Sequence, residues 1–166
     1  MTRESSPSGY SGTPLPKKLG LVKGQVALLI DPPEGHPESW GDLPEGFSFT
    51  RARKPAKLDV IVRFVTTRDA MAEGLPGQMA ALDPAGTIWI GWPKKTPAKG
   101  FPKVETDITE DVIREVALPL GLVDVKVCAI DGTRSGLKLV LRKELRPDDQ
   151  KPKTRTRSPK STKRIA

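Results

Sequence analysis

The sequence contains one cysteine, one histidine and one tyrosine, and only 5% of its residues are Phe, Trp or Tyr. A lone cysteine, Cys128, excludes an internal disulfide, and its apolar surroundings suit a buried strand thiol. Lys126 lies two positions away, but no histidine accompanies the thiol, so a catalytic thiolate has no base. The lone histidine, His36, stands in a Pro- and Gly-rich segment with no cysteine beside it, which leaves metal binding without a ligand set. No run approaches the roughly 20 apolar residues that a spanning helix needs. Residues 1–12 are rich in Ser and Gly and have no apolar stretch of the kind a secretion signal carries. There is no internal repeat. A soluble, cytoplasmic protein without disulfide, metal or membrane segment is the expectation.

The formal charge of +8 suggests nucleic acid until it is divided along the chain. Residues 151–166 carry Lys151, Lys153, Arg155, Arg157, Lys160, Lys163 and Arg164 with no acid, and the span between residue 20 and this tail is close to neutral. The tail is a candidate contact for an anionic partner, either nucleic acid or an acidic protein. It is equally readable as a solubilising end. No aromatic residue is interleaved with its cations, so base stacking is not expected. The composition divides the chain into a disordered N-terminus over 1–12, a single α/β domain over 13–145 and a basic disordered tail over 146–166.

Within the domain the periodicity alternates between strand and helix. Leu15 and Leu19, with Gly20 behind them, predict a helical turn after Pro14, lying over the edge of a sheet. Residues 25–30 form an apolar run with no polar face, a buried first strand stopped by Asp31-Pro32-Pro33. A short helix fits near 39–43, then a half-exposed strand at Phe47-Ser48-Phe49-Thr50-Arg51 and a strong strand over 58–65. Thr67 is a suitable N-cap, and Met71, Leu75, Met79 and Leu82 share a helical face, but Gly74, Pro76 and Gly77 predict a kink or two pieces. Asp83-Pro84-Ala85-Gly86 turns into the clearest buried strand, Ile88-Trp89-Ile90, which ends at Trp92-Pro93-Lys94-Lys95. A helix begins after Thr109 with Glu110 and Asp111 in its first turn, where the dipole favours acids; this makes capping the simpler role of Asp107, Glu110 and Asp111. Residues 123–130 and 137–142 close as a hairpin across Asp131-Gly132. Strands alternating with helices imply an open, mostly parallel sheet that closes in an antiparallel C-terminal hairpin.

Ligands of such sheets bind beyond the carboxyl ends of the strands. Asp31, Thr66, Trp92, Lys94 and Lys95 all follow strands at that end, so they are the candidate ligand-binding residues, with the lysines facing an anion. A solvated loop with a structural Trp-Pro is the alternative. Trp89 and Trp92, three positions apart, point to opposite faces, one in the core and the other capping the crevice. No residue is a candidate for catalysis.

Four segments carry a resemblance: residues 9–20, Trp92-Pro93-Lys94-Lys95, residues 107–115 and residues 122–131. They are similar to the small bacterial proteins of the domain-of-unknown-function 3052 family, over residues 9–142. Where that family has Glu and Trp before the closing Ser-Gly, this chain has Gly132 and Arg134, and its loop over 96–105 is longer. The element order also resembles a truncated methyltransferase-like, Rossmann-like fold. Such folds hold S-adenosylmethionine with a Gly-x-Gly turn after the first strand and an acid at the end of the second. Here the turn is Asp31-Pro32-Pro33-Glu34-Gly35, and Arg51-Ala52-Arg53 follows the second strand. Two prolines remove two N–H donors, and arginine cannot accept from a ribose hydroxyl. The reading is a degenerate methyltransferase-like domain, without cofactor, that acts by binding. Its rivals are a small-molecule transferase or nucleotide binder in the same crevice, and a non-specific nucleic-acid binder through the tail.

The tail reading has a quantitative test. If duplex DNA binds at all, removing residues 151–166 is expected to abolish binding, because the tail holds seven cations without an acid while the domain as a whole is close to neutral. Full engagement of the tail's cations gives a slope of about six in log affinity against log salt, at about 0.9 per phosphate neutralised. Tight, salt-insensitive binding that survives the truncation, measured with labelled DNA, contradicts the assignment.

Overall fold

A computed structural model describes residues 13–50 and 58–146 of the chain. The elements are α1 (Leu15–Lys18), β1 (Val26–Ile30), β2 (Ser48–Thr50), β3 (Leu58–Phe64), α2 (Arg68–Ala81), β4 (Leu82–Pro93), α3 (Glu110–Ala117), β5 (Leu122–Ala129) and β6 (Arg134–Leu141). The six strands form one sheet in the order β2-β1-β3-β4-β6-β5. The first four positions in that order are parallel neighbours, and β6 runs antiparallel to both β4 and β5. This is the open, mostly parallel α/β sheet with a closing antiparallel hairpin that the element order predicts.

The central strands are buried on both faces, and their alternation divides the core. On one face Ile61, Val65, Ile88, Ile90 and Trp92 meet Met71 and Leu75 of α2 and Ile113, Val116 and Ala117 of α3. On the other, Val60, Val62, Phe64 and Trp89 meet Leu15, Leu19 and Leu21, together with Trp40 and Phe47 from the connection between β1 and β2. That connection holds only a 3-10 turn, Glu38–Trp40, where folds of this kind have room for a helix. Its apolar side chains and the single turn of α1 therefore cover the second face. Each fully buried Val, Leu or Ile contributes roughly 1.5–3 kcal/mol in removing apolar surface from water.

Several expectations are corrected by this packing. The first helical turn lies on the sheet's face and not over its edge: the indole Nε1 of Trp89, in the middle of the sheet, donates to the Leu19 carbonyl at 3.1 Å. The ammonium of Lys18 reaches the Ala129 carbonyl at 3.0 Å. The segment after Thr67 is one helix with Pro76 inside it, not two pieces. Thr67 caps it as expected, accepting from the Ala70 N–H at 3.2 Å. Pro76 is exposed, while Met71, Leu75 and Gln78 on the opposite side are buried. A proline inside a helix costs ~3 kcal/mol, and the packing of that buried side offsets it. Residues 83–86, read as a turn before the central strand, instead form an irregularity within β4. Leu58 pairs with Leu82 and Val60 with Thr87, so β4 accommodates extra residues there, and the Asp83 carboxylate accepts from the Ala85 N–H at 2.8 Å. Trp89 and Trp92 do take opposite faces, but both are core residues.

The Trp89 bond to Leu19 fastens α1 to the sheet, so its removal measures how much that turn contributes. Trp89→Phe is expected to lower unfolding free energy by about 1–3 kcal/mol, since it leaves the Leu19 carbonyl without its donor. Urea denaturation should show a lower midpoint with an unchanged slope; an unaltered midpoint would mean that α1 holds without this bond.

Candidate functional site

The chain runs from β1 to β2 on one side of the sheet and returns to β3 on the other side of β1, so the strand order reverses between β1 and β3. Crevices at such reversals, outside the carboxyl ends, are the ligand sites of open α/β sheets. A cavity of about 320 Å³ lies there, lined by Asp31 and Pro33 after β1, Arg63 to Thr66 at the end of β3, Ala70 in the first turn of α2, Gly91 and Pro93 of β4, and Arg134 of β6. Its volume falls at the lower end of the roughly 300–1,000 Å³ range of small-molecule pockets.

Of the residues expected here, Asp31 and Thr66 line the cavity, whereas Trp92, Lys94 and Lys95 are not among its walls. Trp92 faces the helical layer as core. The Lys94 N–H donates to the Thr133 carbonyl at 2.7 Å, which ties the Trp-Pro-Lys segment to the β5–β6 turn. Lys95 is exposed on the following loop. Asp31 has φ 53°, a left-handed conformation that few non-glycine residues adopt, although aspartate tolerates it better than most. The next two residues are prolines, so the exit from β1 presents no N–H at either position.

The cations of the cavity are arginines. Arg63 lies on the same side of β3 as Ile61 and Val65 and points toward α2. Its guanidinium, with the Gln78 amide, occupies space that a side chain at position 74 would take. Its Nη2 donates to the Ala70 carbonyl at a long 3.4 Å and stands 3.9 Å from the Asp31 carboxylate. The Arg63 side chain is only 12% exposed and that of Asp31 72% exposed, so the pair couples a buried charge to a solvated one. The Arg63 Nε is buried with no hydrogen-bond partner.

Arg134 is held differently. Its Nη1 contacts the Asp131 carboxylate at 3.2 Å, and the same carboxylate accepts from the backbone N–H groups of Thr133 and Arg134 at 2.8 and 2.7 Å. His36 Nε2 lies 3.0 Å from the other side of this group, and His36 Nδ1 accepts from the Trp40 indole at 2.8 Å. Indole only donates, so Nδ1 is the acceptor and the ring proton sits on Nε2, donating to Asp131. Both ring nitrogens are thus occupied, and His36 serves to position Asp131 and Arg134. Burial raises the Asp131 pKa, but the bonds from His36, Thr133 and Arg134 overcome it and hold the carboxyl at about 2. A second cavity of about 320 Å³, on the His36 side of the β1 exit, has neither Lys nor Arg in its lining.

The other chemical candidates are structural. Asp107 accepts from the Arg68 N–H at 2.8 Å and so caps the neighbouring α2, while Glu110 and Asp111 hold Arg114 at 2.9 and 3.0 Å. Burial raises the Cys128 thiol pKa more than Lys18 and Lys126 lower it. Among the described residues no three His, Cys, Asp or Glu side chains are grouped to hold a metal. The ring of Phe101 rests on Gly132 where a Cβ would collide, Ala98 N–H donates to the Gly132 carbonyl at 2.8 Å, and the Thr133 hydroxyl reaches the Pro102 carbonyl at 3.0 Å. The loop over 96–105 and Gly132 therefore meet in space. Arg51-Ala52-Arg53 and the cations of the tail lie outside the described residues.

Among solved structures, the chain is similar to an S-adenosylmethionine-dependent methyltransferase from Aquifex aeolicus, with 13% identity and a TM-score of 0.52 over 75% of this chain and 88% of that one. The fold is methyltransferase-like. The N-methyltransferase NodS from Bradyrhizobium japonicum is similar at 14% identity and TM-score 0.49, over 77% of this chain and 90% of that one. The magnesium protoporphyrin IX methyltransferase ChlM from Synechocystis is similar at 12% identity and TM-score 0.47, over 77% and 78% of the two chains. No protein-family model and no curated protein matches the chain.

The methyltransferase-like fold raises the question of S-adenosylmethionine, and the residues at the crevice do not fit it. Pro32 and Pro33 replace the backbone donors of the first turn, and no α-helix follows β1 to present its N-terminus to a ligand.

Asp131 organises this edge, and its low pKa makes a signed prediction. A carboxyl held at about 2 in the folded chain against 3.8 when free stabilises above the free value, and that stability is lost as pH falls from about 4 through 2. Asp131→Asn is expected to cost on the order of 2 kcal/mol at pH 7 and to flatten the acid limb of stability, as read by urea melts at stepped pH. Equal stabilities of the two proteins at pH 7 would show that the network carries no net energy.

Proposed function

We propose that this chain is a non-catalytic, ligand-binding domain of methyltransferase-like fold, acting as a cytoplasmic binding or regulatory module of the 3052-family type. The observation that carries the reading is the combination at the β1 exit: the crevice at the strand-order reversal is retained, while the turn that would hold the cofactor is Asp31-Pro32-Pro33. The segments behind the family resemblance support it by position. Trp92-Pro93-Lys94-Lys95, Asp107 before α3 and Asp131 after β5 all border the same carboxyl edge, joined there by Lys94 to Thr133 and Asp107 to Arg68. The rival is a transferase or nucleotide binder in the same crevice.

A thermal-shift titration with S-adenosylmethionine tests the cofactor-dependent form of that rival. A ligand of the native state raises stability by ~2.7 kcal/mol at a hundred times its Kd, a shift of several degrees for a chain of this size. The melting temperature is expected to stay constant up to millimolar S-adenosylmethionine. A saturable rise that Asp31→Ala removes would return the chain to the cofactor-dependent class.

A further inference from the structure

Resting on the ligand-binding reading above, we infer that the crevice takes a small oxyanion, a carboxylate or phosphate group bound by the guanidinium of Arg63, with Arg134 also in the lining. Arg63 is placed where the fold calls for an apolar side chain, among Ile61, Val65 and the first turns of α2. A charge buried to this extent is tolerated when its donors are satisfied, and here one of them, the Nε, is not. Its bonds within the chain are the 3.4 Å contact to the Ala70 carbonyl and the 3.9 Å approach to a solvated Asp31, and its buried Nε has no partner. A buried donor without a partner calls for an explanation, an ordered water or an ion being among those available, and Arg63, unlike the similarly placed Arg142, borders a cavity large enough to hold one.

The pairing also explains two features that stability alone does not. Gly74 costs a helix interior about 1 kcal/mol relative to alanine, and the space a Cβ would take there is shared by the Arg63 guanidinium and the Gln78 amide. Arg134 is held by Asp131, which His36 holds in turn and Trp40 orients through His36, so this second cation is pre-organised before any ligand arrives. A planar fork matches the oxygens of a carboxylate or phosphate two at a time, which a lysine does not. Of the remaining walls, Pro33, Phe64, Val65, Ala70, Gly91 and Pro93 are apolar, Thr66 offers a hydroxyl, and the one carboxylate, Asp31, is solvated and stands 3.9 Å from the Arg63 guanidinium.

The test uses the full chain, so the tail contributes equally to every sample. Inorganic phosphate and malonate are titrated at matched ionic strength, with chloride as control, while the Arg63 Nε–H is followed by proton–nitrogen correlation spectroscopy. The expected result is a saturable shift of that signal with one of the two anions, the tighter one assigning the head group. Arg63→Gln should weaken the same anion about tenfold or more, the loss of a charge-assisted bond. An Arg63 Nε–H unmoved by about 10 mM of both anions overturns the inference, and this readout stands even if the variant does not fold. Adenosine is titrated in parallel: if it binds and Ala70→Phe blocks it, the crevice remains a ligand site and only the oxyanion assignment falls. If neither anion nor adenosine shifts any residue of the cavity, the ligand-binding reading falls with it.

Discussion

Everything in this structure follows from burying β3 and β4 on both faces. A strand with no polar side must have its backbone paired on each flank and its side chains covered above and below, since an unpaired buried N–H or C=O costs about as much as a lost hydrogen bond. The parallel neighbours β1 and β3 and the antiparallel β6 supply the pairing. Helices α2 and α3 supply one cover. The second cover is assembled from less regular material: one turn of α1, the Trp40 ring and the Phe47 ring. Three aromatic rings and His36 pack edge-on there, with centroid separations between 5.3 and 6.2 Å, distances at which such pairs add to simple burial. A loop that must act as a core layer has to be held rigidly, and the hydrogen bonds from Trp40 to His36 and from His36 to Asp131 do that.

The same constraint creates the candidate site. Parallel strands end together, and where the connections from β1 and β3 depart to opposite sides nothing fills the gap between them. In this chain the gap is bordered by a rigid Asp31-Pro32-Pro33 exit, by the capped start of α2 and by the turn of the closing hairpin. The hairpin is thus more than an edge: it delivers Arg134 to a cavity otherwise built from β1, β3 and β4, and its Asp131 links that arginine to the covering layer on the other face. The long loop after β4 packs on Gly132 and secures the turn from outside.

Much of the fold was legible in the sequence. Apolar runs, a threonine before each main helix and turn residues between segments are local signals, and each reports how a short stretch meets water or a core. Strand number, helix positions, the parallel majority and the final hairpin follow from them. Asp31 and Thr66 were identifiable as crevice residues because the carboxyl ends of strands are readable from the strand boundaries alone. Whether the helix after Thr67 runs through Pro76 or breaks there was left open by the sequence, because the local penalty of a proline is outweighed by Met71, Leu75 and Gln78, which are buried on the opposite side.

The sequence by itself determined which stretches become strands and helices and which chain ends gather at one edge, since those depend on side-chain periodicity and on φ limits set by Pro and Gly. Only the tertiary structure decided which charged groups share that edge. His36 and Asp131 are 95 residues apart, and no spacing rule connects them. Arg63 had a faint signal, a charge on the Ile61 and Val65 side of an apolar strand, but whether such a residue snorkels to water or stays under-paired beside a cavity depends on what packs over it. Lys94 and Lys95 looked the stronger cations on sequence, yet backbone pairing to Thr133 directs that segment away from the crevice walls. Electrostatic partners are selected by distance in three dimensions, and a linear sequence carries that distance only for neighbours along the same strand or helix.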